Sequence, residues 1–358
     1  MSTTNLFSPI QIRGLELKNR IVVSPMQQFS AVNGKVGHWH MVHLGSRAVG
    51  GAGLIITESL AVNREGRSTH YDAGLWSDAQ IAGWRTINKF IHEQGAKTAA
   101  QIAHFGSKGS RSHPNDGLQY LTPENGGWVT KSSSAVAPFN NMSLPKELSL
   151  NEIVKIKKDF IAAATRAVLA GFDAIELHAG HGYLFHQFYS NIINHRTDKY
   201  GGSFENRIRL LVETAEGVRA IIPETMPLLV RISAVDYLDD DDRAWKMEDS
   251  LVLAGILKQI GVDVVTASAG GFVFLDKSRV FPSYQVPFAE KIKAETGVIT
   301  GAVGAITEPE QADEIIRSGK ADVAVIAREF LRDPYFALHA AKALGQEVDV
   351  PFQYKRAL

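Results

Sequence analysis

Short apolar runs rich in Val, Ile and Ala recur along the chain. They lie at 21–26 (IVVSPM), 54–62 (LIITESLAV), 97–104 (KTAAQIAH), 174–180 (AIELHAG), 227–236 (PLLVRISAVD), 262–270 (VDVVTASAG), 298–304 (VITGAVG) and 321–327 (ADVAVIA). Near-continuous apolar runs mark strands buried on both faces, as in a parallel sheet covered by its crossover helices. Amphipathic stretches lie between them, at 78–94, 149–170, 203–221, 247–260, 307–318 and 334–344. Ser149 with Glu152, Ser203, and Thr307 with Glu310 carry N-terminal cap chemistry, while Gly95, Gly171, Gly261 and Gly319 supply stops. Eight runs alternating with helices predict a closed (β/α)8 TIM barrel rather than an open doubly wound sheet, with 1–358 as one domain.

Two stretches break the alternation. Residues 105–148 are rich in Gly, Ser, Pro and Asn without a long periodic run, which predicts an elaborated loop after strand three, on the barrel edge where active sites are built. Upstream of the first strand, LFSPIQIRGLELKNR alternates apolar and polar residues around Gly14, which predicts a β-hairpin plugging the other end.

Composition narrows the chemistry. Thirty-eight Lys and Arg balance thirty-eight Asp and Glu, so the chain lacks the basic footprint of a nucleic-acid binder or a membrane-surface protein. Zero cysteines exclude disulfides, thiolate metal sites and a catalytic thiol, so redox chemistry needs a cofactor. MSTTNLFSPI has no secretory pattern and no apolar run approaches the roughly 18 residues of a membrane span, which points to a cytoplasmic protein.

In a TIM barrel the chemistry sits at the C-terminal strand ends. There this chain offers Ser24-Pro25-Met26-Gln27, Glu58-Ser59, Gln101, His104, His178, His181, Arg231, Gly301 to Gly304, and Arg328. Arg231 interrupts an apolar run and needs an acceptor, either a salt bridge to Glu176 or Asp236 or an anionic ligand. Gly304 and Arg328 follow strands seven and eight, where such barrels bind phosphate: glycine admits backbone N–H groups and arginine adds a forked cation. His178 and His181, with Tyr183 beyond, suit a grip on one carbonyl or oxyanion-like acceptor. The HxxH pair could instead bind a metal with His104, Glu58 or Asp236, although no zinc spacing appears, and either histidine could be a plain core residue. GxGxxG, GxxxxGK[ST] and GxSxG are missing, and the acidic run Asp239 to Asp242 reads as a solvated loop.

These residues resemble the old yellow enzyme family of FMN-dependent ene-reductases. The resemblance runs through LFSPIQIRGLELKNRIVVSPM, HLGSRAVGGAGLIITE, AQIAHFGSKGS, FDAIELHAGHGYLFHQFYSNIINHRTDKYGGSFENR, VRISAVDY, TGAVG, AREFLRDP and FQYKRAL, and is most specific from His178 to Arg207. The histidine pair and the QYKRAL ending are similar to the thermophilic-like, or xenobiotic-reductase-like, branch. The resemblance implies non-covalent FMN, lined by Ser24, Pro25, Met26, Gln27 and Ser59, hydrogen-bonded by Gln101, faced by Arg231, and held at its phosphate by Gly304, Ala327 and Arg328. It implies His178 and His181 as anchors of an activated alkene and Tyr183 as proton donor. NADPH or NADH would be the reductant in a ping-pong cycle. Phe29 and Arg356 would touch substrate, Arg356 from a neighbouring copy in a homodimer or homotetramer joined through the tail 345–358. Departures from the branch are Gln27 for a usual cysteine, Phe29 for a usual tyrosine and Ser59 for alanine. The competing readings are a phosphate-binding lyase or isomerase, which wants a Schiff-base lysine at a strand end and finds no obvious one, and a flavin-binding sensor with little turnover.

Overall fold

The computed structural model describes residues 4–273 and 275–356. Eight parallel strands form the barrel: β1 (Ile21–Val23), β2 (Leu54–Ile56), β3 (Lys97–Ala103), β4 (Ala174–Ala179), β5 (Leu228–Ser233), β6 (Val264–Ser268), β7 (Ile299–Ala302) and β8 (Val323–Ile326). Each pairs with its successor, β8 pairs with β1, and the ring is closed. Among the described residues, eight helices of eight residues or more follow in alternation: α1 (His38–Val49), α2 (Ile81–Glu93), α3 (Leu150–Leu169), α4 (Phe204–Ile221), α5 (Met247–Gln259), α6 (Val286–Thr296), α7 (Pro309–Arg317) and α8 (Phe336–Ala343); the shorter helices Leu184–Tyr189 and Arg328–Arg332 sit directly after β4 and β8. The predicted (β/α)8 barrel is the observed fold.

The period of two along a strand splits every apolar run into two sets. One set, including Ile21, Ile55, Ile102, Ile175, Val230, Val265 and Ile326, packs outward against helix residues such as Trp84, Phe160 and Leu257. The other, Val22, Leu54, Ile56, Ala99, Ala174, Leu229, Val264, Val323 and Val325, fills the lumen together with Ile12, Leu15 and Leu17. Those last three come from the antiparallel hairpin Ile10–Ile12 and Leu15–Leu17, which closes the N-terminal end as its alternation predicts.

Caps and stops follow the sequence closely. Ser149 and Glu152 form a reciprocal box, Ser203 caps α4, and all four stop glycines adopt left-handed backbone. At α7 the expected Thr307 and Glu310 box shifts by one residue: Glu308 is the cap, and Gln311 Oε1 accepts from the Thr307 and Glu308 N–H groups. The run 54–62 also divides. Beyond β2 the chain breaks at Thr57–Ser59, and Leu60–Ala61 pairs separately with the end of β3. Residues 105–148 hold only short 3-10 turns and the pair Lys131–Ser132 and Lys146–Glu147, so the predicted excursion stands over the C-terminal barrel face.

Candidate active site

Continuing the lumen rows of β1, β3, β4, β5 and β6 upward replaces apolar side chains by polar ones: Val22 leads to Ser24, Ala99 to Gln101, Ala174 to Glu176 and His178, Leu229 to Arg231, Val264 to Thr266 and Ser268. Register brings them side by side, with Gln101 opposite Glu176, and Arg231 opposite both His178 and Thr266. They form a buried polar layer. Ser59 Oγ donates to Gln101 Oε1 at 2.6 Å, Gln101 Nε2 donates to Glu176 Oε1 at 2.7 Å, and Thr266 Oγ1 donates to Glu176 Oε2 at 3.3 Å. Burial pushes the Glu176 carboxyl upward, while the Arg231 charge pulls it back.

Arg231 donates to Ser24 Oγ at 2.8 Å, and its buried Nε has no partner. Of the two salt bridges weighed from sequence, neither forms. Glu176 reaches Arg231 only as a nearby charge. Asp236 is consumed elsewhere: it accepts from His186 Nε2 at 2.6 Å, Ser190 Oγ at 2.7 Å and the Trp245 N–H at 2.8 Å. His186 Nδ1 in turn accepts from the Gly182 N–H at 2.9 Å, fixing the turn between His181 and Tyr183. The missing counter-ion leaves Arg231 as a buried cation with donor capacity to spare.

The loop after β4 presents the histidine pair. His178 Nδ1 accepts from the Gly180 N–H at 3.2 Å, which assigns its ring proton to Nε2. That nitrogen lies 3.1 Å from His181 Nδ1, and His181 Nε2 lies 2.7 Å from Ser268 Oγ. The chain of donors therefore runs from His178 through His181 to Ser268. Burial, with Arg231 next, holds both imidazoles well below their ordinary pKa, so they are neutral donors. His181 takes a left-handed φ of 57°, and its N–H is held by Ser233 Oγ at 2.8 Å. Tyr183 follows, its ring 4.2 Å from Phe105 and 4.8 Å from His178, and burial pushes its phenol up to about 12.

Past β7 and β8 a cavity of ≈ 480 Å³ is lined by Ser24, His181, Arg231, Ser268, Gly304, Ala327 and Arg328 among others. Gly304 has φ of +116°, and a Cβ there would lie 2.8 Å from the Gln285 N atom, so glycine is required. Arg328, an exposed residue, lines this end. One cavity thus joins the predicted phosphate end to the histidine end. Gln27 Nε2 is a buried donor without a partner. Orphan donors on Gln27 and Arg231, a glycine cradle and Arg328 together fit an anionic, acceptor-rich group such as FMN.

Among the described residues, no group of three His, Asp or Glu side chains is arranged to hold an ion. His104 is a core histidine pushed down to about 3 by burial, its Nδ1 accepting from the Gly106 N–H. Glu58 lies 3.0 Å from His40 Nε2, a buried pair. The acidic run is solvated, with Asp239, Asp241 and Asp242 paired to Arg279, Arg243 and Lys246. Pro25, Met26 and Phe29 are half-buried on the loop after β1, and Arg356 is exposed near the chain end.

Sequence reasoning missed Ser268 and Lys108. Ser268 closes β6, and the strand-end rule applied to that run would have found it. Lys108 stands five residues beyond β3, in a segment without periodicity, so inspection of strand ends alone passes over it.

A family model for the NADH:flavin oxidoreductase / NADH oxidase family matches residues 5–347. An NADPH dehydrogenase of Bacillus subtilis is 44% identical over 353 residues, 98% of each chain. An NADH:flavin oxidoreductase of Gibberella zeae is 41% identical, over 98% of this chain and 88% of its own. Among solved structures, morphinone reductase in complex with tetrahydroNAD superposes with a TM-score of 0.78 at 26% identity, over 98% and 93% of the two chains. An old yellow enzyme homologue from Zymomonas mobilis gives 0.78 at 26%, over 97% and 94%. FMN is the flavin of this family, with a nicotinamide nucleotide as reductant. From its matched span, its relatives and its barrel, the chain belongs to the NADH:flavin oxidoreductase / NADH oxidase family, the old yellow enzyme family.

Proposed function

We propose that this oxidoreductase is an ene-reductase of 2-enoate type, reducing the C=C bond of α,β-unsaturated carbonyl or nitro compounds in a ping-pong cycle with NADPH or NADH. The observation that carries the reading is the single cavity running from Arg328 and Gly304 past Arg231 to His181. FMN, when bound, would supply the two-electron redox chemistry that links the nicotinamide to the alkene.

The chain's own residues do the rest. Arg231 places a buried positive charge where a reduced flavin collects negative charge, and Gly304, Ala327 and Arg328 hold the phosphate. Ser24, Pro25, Met26, Gln27 and Ser59 line the ring, and Gln101 retains one amide proton after its bond to Glu176. His178 and His181, neutral donors, bind the carbonyl or nitro oxygen, and their hydrogen bonds strengthen as that oxygen gains charge. To do so they must give up the bonds to each other and to Ser268. Tyr183 protonates the α-carbon. Phe29 contributes an apolar wall, and Arg356 of a second copy completes the site in a homodimer or homotetramer.

The test is optical and anaerobic. Purified protein should be yellow, bleach with NADPH, and recover colour on adding cyclohexenone. A colourless protein that refuses FMN overturns the proposal; colour that returns only with oxygen leaves a flavin protein without alkene turnover. A fully active monomer in analytical ultracentrifugation would remove the role of Arg356.

A further inference from the structure

We infer that Lys108 is a positioning residue for proton delivery: its ammonium staples the loops after β4 and β6 together and supplies the positive charge that supports Tyr183 as the phenol loses its proton. The inference rests on the reading of Tyr183 as proton donor.

Lys108 ends the turn Gly106–Lys108. Its Nζ donates to the His181 carbonyl at 2.8 Å and to the Gly271 carbonyl at 2.9 Å, so one cation joins two loops of the site. The loops touch at that point. A Cβ on Gly182 would lie 2.5 Å from the Gly271 carbonyl oxygen, and one on Gly271 would lie 2.2 Å from the Gly182 N atom. The same Nζ stands 5.5 Å from the ring centroids of both Phe139 and Tyr183. The charge acting on it is the Arg111 guanidinium, a repulsive neighbour. Lys108 is therefore a half-buried cation held by carbonyls and π faces.

This arrangement favours one direction of charge flow. In the transfer, the Tyr183 O–H bond breaks and a C–H bond forms at the α-carbon, while the reduced cofactor's hydride forms the β C–H bond. Tyrosinate remains and regains its proton from water. Against a neutral phenol the Lys108 charge meets only a ring quadrupole; against tyrosinate it meets a full negative charge, so the interaction grows along the reaction. That support matters because burial makes the phenol hard to ionise.

Burial first, and Arg111 next, lower the Lys108 ammonium to about 8. The charge is present below that pH and lost above it. The groups around this part of the site are Arg111 on its own segment, Tyr120 stacked on Arg111, and His178, His181 and Tyr183 on the β4 loop. Asp72, pushed up to about 7 by burial, acts on Tyr183 from the loop after β2. Burial holds the histidines well below their ordinary range and the Tyr183 phenol up at about 12, which leaves Lys108 at about 8 and Asp72 at about 7 as the groups whose charge changes between those limits.

The experiment follows the two half-reactions separately by stopped flow on the full-length FMN-loaded protein, with flavin content and thermal melting recorded for each variant. In the wild type, alkene reduction falls above pH about 8 while the Lys108 charge leaves flavin reduction by NADPH untouched. Lys108→Met slows alkene reduction by about 10- to 30-fold and flattens the limb. Lys108→Arg keeps the rate and moves the limb beyond pH about 10. Should Lys108→Met fail to load flavin, the limb of Lys108→Arg decides. A limb unchanged by Lys108→Arg, with Tyr183→Phe still slowing alkene reduction, overturns the Lys108 role alone. No slowing in Tyr183→Phe overturns the donor reading and the Lys108 role with it.

Discussion

The two ends of the lumen are built from the same eight strands and obey opposite rules. At the N-terminal end, Val22, Leu54, Leu229 and Val264 meet the hairpin side chains Ile12, Leu15 and Leu17 in a dry apolar plug. Two residues beyond Val22, Leu229 and Val264, the side chains of Ser24, Arg231 and Thr266 form a buried layer in which Arg231 Nε has no partner. The lower end satisfies itself. The upper end buries charge and unspent donors at a stability cost that only a ligand removes, which is how a binding site differs from a core made by the same strands.

Substitutions at each end should separate these roles. The largest effect is expected at the open end: Tyr183→Phe should slow alkene reduction by about 10²- to 10⁴-fold, with flavin reduction nearly unchanged in stopped flow. Equal slowing of both half-reactions would reassign the donor. At the closed end, Leu17→Ala should cost about 2–5 kcal/mol in denaturant unfolding while leaving flavin affinity intact. A loss of flavin without a loss of stability would erase the contrast between the ends.

Acid should act through buried histidine beside the open end. Unfolded histidine binds a proton below about 6.5, whereas folded His104 resists until about 3. The unfolded state therefore holds more protons, and stability falls as pH drops below the unfolded value, by about 1.4 kcal/mol per unit for this group. His104→Gln should flatten the slope of unfolding free energy between pH 6 and 4 by that amount; an unchanged slope would place the titration elsewhere. The smallest effect is expected at Gln27. Replacing its unpartnered amide by alanine should shift the flavin midpoint potential by the worth of one hydrogen bond, about 0.5–1.5 kcal/mol. An unchanged potential in a spectroelectrochemical titration would mean the amide does not touch the flavin.

Particular residues show where sequence reading reached and where it stopped. Strand periodicity located every barrel strand, because parallel strands are covered on both faces and must be apolar throughout. The amphipathic stretches left out α1 (HWHMVHLGSRAV), where buried His40, His43 and Arg47 blur the apolar stripe, and α6 (VPFAEKIKAET), where only Val286, Ala289 and Ile292 are buried. His178, His181 and Arg231 stood out because polar groups inside apolar runs demand a reason. Asp236 entered as one of the acceptors weighed for Arg231, whereas its partner is His186, 50 residues away, and sequence offers no measure of that proximity.

Alternation, caps and composition settle the barrel, its plug and the absence of thiol chemistry, since each depends on local periodicity or on residue inventory. Which donors stay unspent is another matter. The absence of a salt bridge at Arg231, the donor chain from His178 through His181 to Ser268, and the Lys108 bridge between two loops arise where separate strands and loops converge, because hydrogen bonding and charge depend on distances that only the closed barrel sets.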